Sequence, residues 1–293
     1  MAEKAYGMAL CVILIASIAV GAAAWGREGH RLTCMIAEPF LSSESKVALE
    51  ELLPGRDLPE LCSWADDIRR SYRFRWTGPL HYIDTPDNLC GYDYDRDCHD
   101  SRGEKDMCVA GAINNYSRQL ETFQEAKLSL HKSYNLTEAL LFLAHYVGDI
   151  HQPLHVAFTA DAGGNGVHVH WFGRKANLHH IWDTEFIDRA KRLYYHDIFR
   201  MLRNISMSIT KENFDAWSSC ETDPEACIDS YATESIHASC RWAYKDAVEG
   251  SYLEDDYFSS RLPIVEQRLA QGGVRLASIL NRIFGAKSSE SSI

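Results

Sequence analysis

The eleven residues from His145 to His155, His-Tyr-Val-Gly-Asp-Ile-His-Gln-Pro-Leu-His, hold three imidazoles and one carboxylate. So dense a set of metal-ligating side chains restricts the fold, because the groups must leave their element on one side and converge there. His145 and Asp149 are four residues apart. If the apolar run from Leu136 to Tyr146 is helical, they share one face and can meet at one ion. Pro153 ends that helix, and His155 follows the break, placed to turn back toward the same cleft. His151 is also four residues from His155, so its role stays open. A second His-x-x-x-Asp, from His179 to Asp183, repeats the arrangement, with His180 beside it as a competing ligand. An ordinary amphipathic helix explains one or two histidines on a face, but not two such pairs. Asp66, His81 and His30 are the further candidates.

The start of the chain points to export. Met1 to Ala24 is mostly apolar from Met8 to Val20, carries Lys4, and closes on Ala22-Ala23-Ala24, the small-residue pattern of a signal peptide cut before Trp25. The uncharged run from Ala5 to Trp25 is also long enough for an uncleaved membrane anchor. Either way the remainder enters the secretory pathway, with an extracellular or vacuolar destination. Of nine cysteines, Cys11 leaves with that segment, and the even remainder suits four disulfides; none forms a Cys-x-x-Cys zinc pair. Cys98 with Cys108 and Cys220 with Cys227 would close short loops, leaving Cys34, Cys62, Cys90 and Cys240. Asn115, Asn135 and Asn204 open glycosylation sequons. The net charge of −11 excludes a general polyanion binder, so a phosphate-ester substrate would need bound cations for local attraction.

Residues 25–284 contain no Pro/Gly/Ser-rich linker and read as one domain, with 285–293 a disordered tail. Leu32, Met35, Ile36, Phe40 and Leu41 recur at helical spacing; Ser45 to Leu53 and a stretch from about Cys62 follow as helices. Residues 85–106 lack periodicity and read as a disulfide-pinned loop. Further helices are expected at Val109–Leu130, Leu136–Ile150, Leu178–Leu193, His196–Ser208, Pro224–Glu249 and Pro263–Phe284. Between Gly163 and Asn177 the pattern alternates, a hairpin with Val167, Val169 and Trp171 on one side and a solvated His168 and His170 on the other. The fold class is all-α with one small β-hairpin.

Trp25 at the expected new N-terminus, Trp-Ala-Asp-x-Ile-Arg, His-Tyr-Ile-Asp, His-x-x-Gly-Asp-x-His-Gln-Pro-Leu-His, Gly-Gly-Asn and Asn-Leu-His-x-x-Trp-Asp occur in that order. Together they resemble the secreted zinc-dependent single-strand-specific nucleases, and most of all plant type I nucleases such as mung bean nuclease. The motifs run from Trp25 to Asp183; nothing transfers beyond it. The resemblance implies a helical phospholipase C/nuclease-type fold holding three zinc ions. One zinc would take Asp66, His81, His145 and Asp149. Its close partner would take the amino and carbonyl groups of Trp25, His30 and the shared Asp149. The third would take His155, His179 and Asp183, with His151 outside the ligand set. About four positions per zinc leave room for water and substrate. The implied activity is hydrolysis of single-stranded DNA and RNA to 5′-phosphates, with removal of 3′-phosphate from 3′-mononucleotides. Two zincs sharing Asp149 would activate a water, and Arg69 would stabilise the transition state. Tyr82 would stack an unpaired base and Asp84 accept hydrogen bonds from its edge. The run from Arg69 to Trp76 interleaves cations with aromatics and could track a phosphate backbone. Two other readings stand beside this one: a zinc-dependent phospholipase C on the same scaffold, and a non-catalytic secreted module stabilised by zinc. No stable protein partner is implied, and a membrane enters only if the leader is retained.

Overall fold

A computed structural model describes residues 25–128, 134–220 and 223–285, so the expected leader and all of the expected tail but Gly285 lie outside the described residues. The chain opens with α1 (Arg27–Ala37), α2 (Ser43–Leu52), and the short α3 (Leu58–Leu61) and α4 (Trp64–Ile68). A 3-10 stretch, Arg75–His81, leads into β1 (Ile83–Thr85), and the disulfide-pinned segment holds one helical turn, α5 (Tyr94–Asp97). Helices α6 (Val109–Glu121) and α7 (Phe123–Leu128) replace the single helix expected to Leu130. The break falls at Thr122, whose hydroxyl donates to the Gln119 carbonyl and competes with the helical ladder.

Helix α8 (Leu136–His151) is the axis of the molecule. Asn135 caps it by accepting from the Glu138 N–H, and every residue from Ala139 to His151 is buried, as an all-round apolar helix requires. After Pro153, β2 (Val156–Phe158) pairs parallel with β1, Ile83 beside Val156. These three-residue strands are too short to show alternation, so the sequence gives no sign of them. The hairpin appears as β3 (His168–Trp171) and β4 (Arg174–Asn177), with Val169 and Trp171 inward; β5 (Tyr252–Leu253) adds a parallel neighbour to β3.

Helices α9 (Leu178–His180) and α10 (Phe186–Ala190) are joined and extended by π turns at Ile181–Glu185 and Lys191–Tyr195. Helix α11 (Ile198–Ser208) begins later than expected, because His196 is left-handed (φ 66°) and Asp197 is the cap. Helix α12 (Lys211–Ser218) was not expected, and α13 (Pro224–Ala238) stops well before Glu249. Ser239, just past that end, turns its hydroxyl onto the Pro153 and Val156 carbonyls and carries the chain into a π turn. Helix α14 (Asp255–Phe284) starts before Pro263 and runs through it. Pro263 faces solvent, as does Ser259, whose carbonyl loses its helical partner there on the side open to water.

Two apolar clusters flank a seam made by α1 and α14. Ile113, Phe142, Tyr146 and Leu280 belong to one, and Trp171, Trp182, Phe186 and Phe258 to the other. The seam is close because Gly273 has no side chain: a Cβ there would run into Ile36. Four disulfides tie the chain, the buried Cys34–Cys62 and Cys98–Cys108 and the more exposed Cys90–Cys240 and Cys220–Cys227. They fit an oxidising compartment. Among the described residues no helix is long and apolar enough to cross a membrane.

Candidate metal centre and cleft

The face of α8 carrying His145 and Asp149 is met by three other elements. Helix α1 brings His30, α4 brings Asp66, and the end of the 3-10 stretch brings His81. The Cys34–Cys62 bridge holds α1 beside the entrance to α4, which sets His30 and Asp66 over α8. Asp149 lies at the centre with its two oxygens divided. Oδ1 is 3.2 Å from His30 Nε2, whereas Oδ2 is 3.0 Å from His81 Nδ1 and 3.3 Å from His145 Nε2. Asp66 Oδ1 stands 3.8 Å from both His81 Nδ1 and His145 Nε2. The four atoms expected to share one ion therefore converge, and Asp149 faces a second set with its other oxygen.

Three further predicted ligands, His155, His179 and Asp183, form a separate group. His179 Nε2 is 3.3 Å from Asp183 Oδ2, and His155 Nε2 is 3.8 Å from Asp183 Oδ1. The β1–β2 pairing is what delivers His155, since it lays the segment after Pro153 along the one after His81.

Backbone acceptors fix how the rings point. His145 Nδ1 donates to Cys62 O at 2.8 Å, His155 Nδ1 to His81 O at 2.6 Å, and His179 Nδ1 to Gly163 O at 2.6 Å. In its neutral form each ring aims its Nε2 lone pair inward. His155 Nε2 and His179 Nε2 face each other at 3.1 Å, and His145 Nε2 faces His81 Nδ1 at 3.2 Å. Tetrahedral zinc with nitrogen ligands has an edge of about 3.3 Å, so a cation between these lone pairs turns repulsion into coordination. Both ring nitrogens of His30, Nε2 of His81 and Oδ1 of Asp149 and Asp66 are buried without a hydrogen-bond partner, which fits the same chemistry.

The electrostatics agree. Burial, reinforced by a neighbouring imidazole, lowers His179 to about 3 and His30 to about 4, and burial lowers His81 and His155. Each shift favours the neutral ring, the form that binds metal. His145 moves the other way, to about 9: burial lowers it, but the Asp149 and Asp66 carboxylates outweigh burial. Burial alone would raise Asp149, yet His145, His30 and His81 hold it well below the carboxylate range. Asp183, with little cationic company, is pushed well above it by burial. A divalent cation bound beside Asp183 would supply the positive charge that this carboxylate lacks.

Above the ligands opens a cleft of about 770 Å³. Arg69, Tyr82 and Asp84 all line it. Arg69 Nε lies 3.5 Å from Asp66 Oδ1, and Tyr82 is 41% exposed, so its ring is available to a ligand. Asp84 is raised to about 6 by burial, with His99 pulling it down and Asp161 pushing it up. Asn165 and Asn177 also line the cleft; each stands in one of the ordered motifs, Gly-Gly-Asn and Asn-Leu-His, but was given no role from the sequence. Gln152 was missed as well, although it stands inside the His-Gln-Pro-Leu-His run. It is fully buried, donates to Asp183 Oδ1 at 2.5 Å, and accepts from the Leu154 N–H, so it orients a predicted ligand.

Two histidines are placed elsewhere. His151 points to the far side of α8, donating to Val147 O at 2.7 Å while Arg275 Nη1 approaches its Nε2 at 3.0 Å. It touches none of the ligand groups, in keeping with its expected place outside the ligand set, and joins a part-buried network with Arg268, Arg275 and Glu234. His180 is half-exposed, 4.0 Å from Glu185. Trp25 is fully buried, and the Gly26 N–H donates to Asp183 O at 2.8 Å, fixing the start of the described chain against the third group.

The family model described as S1/P1 Nuclease matches residues 25–285. The chain belongs to the S1/P1 nuclease family. It is 54% identical over 268 residues to "Endonuclease 2" of Arabidopsis thaliana, covering 89% of this chain and 91% of the relative. Identity to "Endonuclease 4" of the same plant is 48% over 283 residues, 94% of each chain. To "Nuclease S1" of Aspergillus oryzae it is 32% over 282 residues, 88% of this chain and 91% of the relative. Within the family it is a plant type I nuclease, a phosphodiester hydrolase whose buried groups can hold metal.

Gly148, inside the His-x-x-Gly-Asp motif of this nuclease, is where His30 reaches α8. A Cβ at Gly148 would stand 2.7 Å from His30 Nδ1, and the His30 ring is stacked on His145 with centroids 3.8 Å apart, leaving it no retreat. Gly148→Ala gains about 1 kcal/mol of helix propensity but costs about 1–3 kcal/mol in overpacking. The variant is expected to melt below the wild type after chelation and to hold less metal before it. An unchanged Tm would show that His30 moves aside freely.

Proposed function

We propose that this nuclease is a secreted trizinc endonuclease that cuts single-stranded DNA and RNA to 5′-phosphate products and removes phosphate from 3′-mononucleotides. The observation that carries the reading is the division of Asp149, one oxygen toward His30 and the other toward His81 and His145, behind a cleft that His81 lines together with Tyr82 and Asp84. Asp66, His81, His145 and Asp149 would hold one zinc; the Trp25 amino and carbonyl groups, His30 and Asp149 the second; His155, His179 and Asp183 the third. Zinc bound there supplies Lewis acidity and water activated near neutral pH. Arg69 directs its guanidinium at the charge that develops on the phosphoryl oxygens. Tyr82 stacks a base and Asp84 accepts from its edge; a paired base cannot reach either, which gives the single-strand preference. Cleavage before Trp25, glycans on Asn115, Asn135 and Asn204, all exposed, and an extracellular or vacuolar destination belong to the same proposal.

The test is hydrolysis of single-stranded DNA, duplex DNA, a 3′-mononucleotide and phosphatidylcholine, each with and without chelator. Chelator-sensitive cutting of the single strand and the mononucleotide is expected. Hydrolysis of phosphatidylcholine alone would assign a phospholipase C instead, and no hydrolysis would leave a zinc-stabilised module.

The separation of His151 from the ligand groups yields a second expected result. His151→Ala keeps its zinc and most of its activity, losing about 1–3 kcal/mol of stability because Arg275 is left short of an acceptor. His155→Ala loses the zinc of its group. Zinc analysis of both folded variants decides, and the reverse pattern would refute the ligand assignment.

A further inference from the structure

The eight residues Arg69 to Trp76 hold four arginines and no acid, in a chain of net charge −11. Glu138 answers Arg73 at 3.0 Å, and Arg69 approaches Asp66. Arg70 and Arg75 are exposed, and neither meets a carboxylate at ion-pair distance among the described residues. The aromatics of the segment divide as well. Phe74 turns in against Trp64 and Phe142, whereas Tyr72 is 87% exposed and Trp76 is 51% exposed. The Arg75 guanidinium lies 5.4 Å from the Tyr72 ring centroid, so cation and ring present one surface.

Position gives this surface its meaning. The segment starts at the cleft, which Arg69 lines, and the chain returns to the cleft just beyond it, at Gly78, Pro79 and Tyr82. On the other side of the 3-10 stretch, Trp76 and Leu80 face an outer groove of about 550 Å³. The segment thus lies between cleft and groove, on one path by which a strand filling the cleft can leave it. Unpaired bases stack on exposed rings while their phosphates meet the cations. A duplex hides its base faces and could use only the charge.

We propose that Arg70, Tyr72, Arg75 and Trp76 form a track that binds the part of a single nucleic-acid strand lying outside the cleft. The proposal rests on the nuclease reading and extends the substrate site to the rim. It gives this acidic protein a purchase on long strands that it lacks on dinucleotides.

The test uses two paired variants of the zinc-loaded protein, Arg70→Ser with Arg75→Ser, and Tyr72→Ala with Trp76→Ala. Each is assayed on a dinucleotide and on a long thymidine oligonucleotide over a salt series. For either variant KM on the long strand should rise about tenfold at low salt, with kcat on it and kcat/KM on the dinucleotide changed less than about twofold. For the arginine variant the log–log salt slope should flatten by about 1.4, two phosphate contacts' worth. Equal loss on both substrates, or no loss on the long strand, overturns the track. Binding of a cleavage-resistant phosphorothioate strand, read by anisotropy, separates this proposal from the one beneath it. A wild type that binds the strand through these residues without cutting any phosphodiester leaves the track and removes the nuclease reading; a wild type that does not bind it removes the track.

Discussion

Replacing Asp149 by alanine is expected to lower the hydrolysis of single-stranded DNA by about a thousandfold or more, roughly 4 kcal/mol of transition-state stabilisation. Asp149 is fully buried, and its carboxylate is the contact common to His30, His81 and His145. Removing it takes a ligand from two proposed zinc positions at once, while His155, His179 and Asp183 keep their contacts to one another. Zinc per folded chain should therefore fall from about three toward one. Circular dichroism and zinc analysis on the same sample keep the result from being read as misfolding. A folded variant with undiminished zinc and a rate within tenfold of wild type would remove Asp149 from the centre. The less drastic Asp149→Asn keeps the shape but not the charge, so it should fall in the same direction with a smaller loss of stability.

Legibility followed the range of the interactions. His145 with Asp149, and His179 with Asp183, were readable because four residues along one helix bring two side chains together wherever the helix goes. His30, Asp66 and His81 join that face through a disulfide and helix packing, and only the ordered motifs pointed to them. The β1–β2 ladder, which sets His155 beside His81, is invisible in strands of three residues. Gln152 was in plain view within a motif, but its value comes from Asp183, thirty-one residues away. The late reading of α14 came from treating Pro263 as a boundary; the decisive fact, which side of the helix is wet, belongs to tertiary structure. His151 had ligand spacing and the wrong face, because the helix ends between it and His155.

Leaving one extra residue before Trp25 should have almost as large an effect as losing Asp149. His30 is buried with both ring nitrogens unpartnered and its Nε2 facing Asp149 Oδ1; Asp66 and His145, also near it, belong to the first zinc in the proposed allocation, so a second zinc gripped there needs donors from elsewhere. Trp25 begins the turn before His30, and its fully buried side chain packs against Gly29, where a Cβ would stand 2.8 Å from its own. The Gly26 bond to Asp183 O holds the same turn from the other side. A free amino group at Trp25 offers zinc a lone pair; an amide nitrogen does not, since resonance commits that pair to the carbonyl. An added residue also has to find room where the indole and the turn are already packed. The extended protein should lose about one zinc per chain and about a hundredfold or more in rate on single-stranded DNA, with the His155 group still loaded. Export and clean processing would then be a chemical condition of activity. Equal zinc and equal rates in the extended and clean-ended proteins, at matched folding, would refute the amino-group role and leave the side-chain ligands untouched.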